Sequence, residues 1–191
     1  MPEHVRISKS CLASLLLTVL GAPAQAAEVD LSVNADAARL GVGVPIGNNL
    51  LVDGSWLYHS DHGNVVSAGG HVTGAASGAD PLWAGVGLRL SYIKNDRDSE
   101  EDGVALGMGG FVRYTLPQYD RISFGGSLYF APGVLSFGDV DKFYDVGAWA
   151  GYSVIKDADV YLGWRKVEAD FNDDGSKSMD SGLHIGLRAR F

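Results

Sequence analysis

From about residue 28 to the C-terminus, apolar and polar side chains alternate with a period of two, the mark of strands with two unlike faces. The last segment shows it most plainly. Leu183, Ile185, Leu187, Ala189 and Phe191 fall in one phase, and Asp180, Gly182, His184, Gly186, Arg188 and Arg190 in the other. The same division runs through Leu82 to Tyr92, Val104 to Leu116 and Tyr144 to Val154. The pattern predicts strands near 28–35, 38–46, 49–59, 64–76, 81–94, 103–116, 121–131, 140–155, 159–169 and 179–191. Many are longer than the common ~5–6 residues and reach the ~9–11 that cross a bilayer at a tilt. Short connections at 45–48, 77–80, 117–120 and 156–158 alternate with connections at 60–63, 95–102, 132–139 and 171–178 that are mostly longer and more acidic. Such alternation is typical of outer-membrane barrels. The predicted fold is an all-β, antiparallel transmembrane barrel of ten strands, or of eight if residues 28–46 fold inside or against the rim.

A soluble barrel alternates too, with its apolar phase inside. Two features point to the inverse here. Seven arginines (Arg39, Arg89, Arg113, Arg121, Arg165, Arg188 and Arg190) lie in the polar phase of predicted strands, whereas the lysines sit in loops or near strand ends. A packed polar lumen favours guanidinium, which satisfies several acceptors in a fixed geometry. Asp30, Asp36, Asp53 and Asp145 share that phase as candidate partners, with His71 and His184 as interior hydrogen-bonding groups. The apolar phase, in turn, carries aromatics at strand ends: Trp56, Tyr58, Tyr92, Phe130 and Tyr144 toward one rim, and Tyr114, Phe124, Tyr152 and Phe191 toward the other. Two aromatic belts around an aliphatic band suit a bilayer with two wet boundaries. Trp164, in mid-strand, fits this scheme imperfectly.

The N-terminus reads differently. Arg6 and Lys9 precede a short apolar run at 11–20, and Ala24-Gln25-Ala26 supplies small residues for cleavage. Residues 1–26 are therefore expected to be a secretory signal peptide and 27–191 the barrel. The only cysteine, Cys11, falls in the leader. The net charge of −8 argues against a nucleic-acid partner.

Several stretches together resemble the YfaZ-type outer-membrane proteins: Asp36-Ala-Ala-Arg-Leu40, Ser55-Trp-Leu-Tyr-His59, His71-Val-Thr-Gly74, Asp80-Pro-Leu-Trp-Ala-Gly85, Arg113-Tyr-Thr-Leu-Pro117, Tyr129-Phe-Ala-Pro132, Gly163-Trp-Arg165 and Gly182-Leu-His-Ile-Gly186. The resemblance implies an outer-membrane barrel of Gram-negative bacteria and supplies no catalytic residues.

Other chemistry is thin. Asp170, Asn172, Asp174 and Gly175 match the first half of an EF-hand loop, but Ser181 stands where the bidentate Glu belongs. A polar hairpin explains them, and no metal or cofactor is expected. Asp96, Asp98, Glu100, Glu101 and Asp102 crowd one outer connection and suit either a solvated loop or cation bridges to lipopolysaccharide. Tyr58-His59-Ser60-Asp61-His62 holds the residue types of a hydrolase triad, which is defined by geometry and not by adjacency. Glycines at 41/43, 85/87 and 107/109 are expected to make room for Trp83, Phe111, Trp149 and the arginines.

The expectation is a non-enzymatic envelope barrel with a polar, largely plugged lumen. Its polar network is drawn from Asp30, Arg39, Asp53, Arg89, Arg113, Asp145, Arg165, His184 and Arg188. The expected partners are outer-membrane lipids, lipopolysaccharide and the barrel-insertion machinery. A narrow passive pore and a lipid-modifying enzyme are the alternatives.

Overall fold

The computed structural model describes residues 27–75, 81–95, 101–171 and 175–191. The expected leader, the acidic residues Asp96, Asp98 and Glu100, and the candidate cation ligands Asn172 and Asp174 lie outside them. Long alternating segments become long strands: β1 (Glu28–Val33), β2 (Ala37–Ile46), β3 (Leu50–His59), β4 (Gly63–Ala75), β5 (Leu82–Asn95), β6 (Glu101–Leu116) and β7 (Tyr119–Ala131). After a 3-10 turn at Gly133–Leu135 follow β8 (Ser136–Gly138), β9 (Val140–Ile155), β10 (Ala158–Phe171) and β11 (Gly175–Arg190). The wall runs β5-β4-β3-β2-β1-β11-β10-β9-β7-β6, and β6 pairs back onto β5. This is a closed, antiparallel barrel of ten strands. Closure leaves no free edge in the wall, so every rung of backbone N–H and C=O is matched where water is absent. The three-residue β8 pairs with β6 at Gly103–Ala105, above the point where β7 leaves it.

The face assignment follows from exposure. Val86, Leu88, Leu90, Leu162, Leu183, Ile185 and Leu187 all project outward and are exposed, while Arg165 and Arg188 are buried inside. Along β5 the outward apolar run from Leu82 to Tyr92 ends at Lys94. Ten rises of about 3.3 Å, tilted by about 40°, give a band about 25 Å tall, the height of an outer-membrane hydrocarbon belt. On β10 the run is Val160, Leu162, Trp164, followed by Lys166, Glu168 and Asp170. Trp164 is therefore a boundary residue, because β10 continues past the band by several residues. That resolves its awkward mid-strand position.

The structure corrects four readings. The connection expected at 171–178 shrinks to 172–174, since β10 runs on to Phe171 and β11 begins at Gly175. Likewise β6 begins at Glu101, so the outer connections other than 132–139 are about as short as the inner ones. Acidic composition suggests loops, but cross-strand pairing extends the sheet over Glu101, Asp102 and Asp170. Arg121 is exposed at the short-turn rim beside Tyr152, because the β6–β7 register breaks after Thr115 and puts it outside the lumen. Asp36 lies exposed in the β1–β2 turn, where Asn34 Oδ1 accepts the backbone N–H groups of Asp36 and Ala37.

Candidate functional site

The inward face divides into two levels. Toward the end holding the β3–β4 and β5–β6 connections, the interior is a buried apolar cluster that includes Leu57, Val65, Ile93, Phe143, Val167, Phe171 and Met179. Met179 arrives there through a bulge. Pairing on β10 steps from Val167↔Asp180 to Glu168↔Ser178, so Met179 has no partner and both it and Asp180 turn inward. One extra residue thus moves β11 from polar to apolar lining.

Below that head lies the polar network. Arg39 donates to Asp145 at 2.8 Å, and Arg89 donates to Asp53 at 2.6 Å. Arg89 also approaches Asp145 at 3.6 Å and lies 3.7 Å from the centroid of the Tyr129 ring. His71 is fully buried, with Nδ1 3.2 Å from Asp53 and Nε2 2.9 Å from the Tyr129 hydroxyl. Arg165 pairs with Asp180 at 2.6 Å and donates to Ser32 at 3.0 Å, and Asn34 donates to the other Asp180 oxygen. Placing charges here is tolerable only because each finds an opposite charge and further hydrogen bonds.

A third group rings the short-turn end. Arg113 grips both oxygens of Glu28 at 2.8 and 2.9 Å. Arg188 bridges Glu28 at 3.2 Å and Asp30 at 3.1 Å, and the Tyr161 hydroxyl donates to Asp30 at 2.7 Å. Arg190 pairs with Asp159, which accepts from Ser153. The Arg188 guanidinium stacks 4.3 Å from the Trp149 ring, and Arg113 lies between Trp83 and Trp149 at 5.3 and 5.7 Å. Trp149 lies over Gly125, where any Cβ would strike the indole. Gly87 and Gly109 face one another across β5 and β6, and a Cβ on either would run into the backbone of the next strand.

The nine polar residues singled out from sequence all line or border this interior, as do His71, Ser32 and Tyr129. Glu28, Asp159 and Asp180 complete the pairing. Glu28 and Asp159 stand next to strand termini, where alternation is hardest to phase. Among the described residues, six lumenal arginines meet six carboxylates (Glu28, Asp30, Asp53, Asp145, Asp159 and Asp180). The network is electrically balanced. His184 packs edge-on against Tyr161 beside it. Of the outward aromatics, Trp56, Tyr58, Tyr92, Tyr114, Phe130, Tyr152 and Phe191 are exposed and Tyr144 is half-buried.

A cavity of about 420 Å³ runs from the middle of the barrel to the short-turn rim. Its wall includes Arg39, Tyr129 and Arg165 in the middle, and Glu28, Trp83 and Arg190 at the mouth. No residue of the apolar head lines it. The His59 segment lies elsewhere, at the opposite rim. There Ser60 Oγ donates to Asp61, and His59 and His62 meet edge-on at 4.2 Å. The described bonds therefore join serine to aspartate instead of serine to histidine. Asp170 pairs with Ser176 on β11.

The family model described as YfaZ precursor matches residues 5–191. The outer membrane protein YfaZ of Escherichia coli (strain K12) is 24% identical over 188 residues, covering 97% of this chain and 99% of that protein. Among solved structures, the KdgM porin matches with a TM-score of 0.48 and 11% identity, over 87% of this chain and 99% of its own. The outer membrane channel DcaP of Acinetobacter baumannii matches with a TM-score of 0.44 and 13% identity, over 85% of this chain and 54% of its own.

Proposed function

The chain belongs to the YfaZ family and is an outer-membrane β-barrel of the bacterial envelope; on that premise we propose that it works without enzymatic chemistry, shut toward the outside and open toward the periplasm as a blind cup. The observation that carries this reading is the division of the lumen. Leu57, Ile93, Phe143, Val167 and Phe171 fill one end while the cavity occupies the other. The start of β1 and the end of β11 lie at the cavity end, and the longest connection, 132–139, lies at the other, which supports a periplasmic cavity mouth. The balanced ion pairs support a structural role for the network: a conducting pore needs charges free to hand an ion along, and these are held by one another.

The outward apolar band with its aromatic rims supports contact with membrane lipids, and the Lys94, Lys142 and Lys166 positions above it support contact with lipopolysaccharide phosphates. Phe191, exposed at the end of the last strand and tied by its N–H to Ala27, supports recognition by the insertion machinery. No nucleic-acid partner is proposed. Planar-bilayer recording tests the reading. Purified barrel is expected to give no stable conductance steps; steps that change on replacing Arg89 would replace it with the pore. A lipid A mass spectrum that depends on His59 would replace it with the enzyme.

A further inference from the structure

The polar groups at the mouth of the cup are unevenly satisfied. Glu28 receives Arg113 on both oxygens, Asp30 receives Tyr161 and Arg188, and Asp159 receives Ser153 and Arg190. The acceptors are engaged. The donors are not: Arg113 Nε, Arg188 Nη1 and Arg190 Nε are buried without a hydrogen-bond partner, and so is His184 Nδ1. Charge is balanced here while hydrogen-bonding capacity is not, and on the three arginines the surplus is all N–H. A site short of acceptors selects a ligand that brings them. Guanidinium edges presented in a fixed fork suit a carboxylate, which takes two parallel N–H donors.

The aromatic lining adds a shape. Trp83 packs on Phe111 at 4.7 Å, and Trp149 lies 5.9 Å from Tyr161. Both pairs neighbour the guanidinium groups: Arg113 lies near Trp83 and Trp149, and Arg188 near Trp149 and Tyr161. Flat apolar walls favour a flat or ring-shaped body. The volume of about 420 Å³ falls in the range of small-molecule sites, about 300–1,000 Å³.

We infer that the periplasmic mouth of the cup is a binding site for a small organic carboxylate with a planar ring, its carboxylate held by the free edges of Arg113 and Arg188 and its ring by Trp83 and Trp149. The inference rests on the blind-cup reading for direction of access. The two fail separately, since conductance steps would overturn the blind cup whether or not a ligand binds.

Calorimetric titration of the folded full-length barrel with benzoate and with benzamide, at low salt and with tryptophan emission followed in parallel, is the test. The two probes share the ring and differ in the charged acceptor. Saturable benzoate binding is expected, with benzamide weaker by about tenfold or more, the scale of one charge-assisted hydrogen bond. The emission change should shrink in Trp149→Phe and in Trp83→Phe and persist in full in Trp164→Phe, whose indole faces outward. Arg113→Lys, which keeps the charge and loses the fork, should weaken benzoate and leave benzamide unchanged. Absence of saturable benzoate binding, or equal affinity for the two probes, overturns the proposal. That comparison uses the unsubstituted protein, so it stands even if a variant fails to fold.

Discussion

The outer third of the barrel and its membrane-crossing part solve opposite problems with one sheet. In the crossing part, Leu88, Leu90, Leu162 and Leu187 face outward and Arg89, Arg165 and Arg188 face inward. Above Trp164 and Tyr92 the order reverses. Lys94, Lys142, Lys166 and Glu168 are outside, and Ile93, Phe143, Val167 and Phe171 are inside. The solvent changes from hydrocarbon to water along the strand, and the faces exchange chemistry at that level. The upper region is held as a soluble protein is, by burying apolar area from water. The crossing part gains nothing from placing leucine against lipid instead of leucine, so its uniqueness rests on paired charges in the lumen. A single continuous strand such as β10 contains both regimes, and its switch falls between Trp164 and Lys166.

Substitutions on the two levels should therefore fail for different reasons. The largest loss is expected where one member of a buried ion pair is removed. Asp180→Leu strands the Arg165 guanidinium and should cost about 3–5 kcal/mol in urea unfolding from lipid vesicles. Adding Arg165→Met to it should restore most of that, and a double variant as unstable as the single would show that the pair does more than neutralise itself. In the head, Phe143→Ala should cost about 3–5 kcal/mol as well, by leaving a cavity. No second substitution of a charge should rescue it. On the outer surface, Leu162→Arg places a charge in the hydrocarbon and should cost about 2–4 kcal/mol. Lys166→Leu, four residues further along the same face, lies above the bilayer. It should leave stability close to that of the unsubstituted barrel, since it loses only exposed contacts with Glu168 and the Tyr144 hydroxyl. Equal penalties at 162 and 166 would erase the boundary drawn at Trp164.

Much of this architecture is legible from period alone. Alternation located all ten wall strands and their faces, because one residue of slip inverts every side chain on a two-faced strand. What period could not reveal is the change of inward chemistry with height. Leu57, Val65, Ile93 and Val167 occupy the lumenal phase, yet in a sequence read as apolar-out they look like local noise. Their common level appears only when register stacks them. The bulge at Met179 is hidden for the same reason, since it breaks the phase that serves as the reading frame. The network was legible as types and less so as pairs. Arg39 and Asp145 are 106 positions apart, and their contact needs the closed wall to bring β2 and β9 to face each other across the lumen. Glu28 and Asp159 escape the pattern because each sits at the first or second position of its strand.

A lumen reached from the periplasmic side and sealed from the other would react at different rates from the two faces of the membrane. The chain's lack of cysteine beyond Cys11 lets those rates be read at one introduced thiol. Ser127 lines the cavity, and in Ser127→Cys a small charged maleimide can be added to either side of a bilayer holding oriented barrel. Labelling from the short-turn side, with labelling from the opposite side slower by at least about tenfold (a barrier difference of roughly 1.4 kcal/mol), is the predicted result. Labelling at equal rates from both sides would mean that the apolar head does not close the barrel.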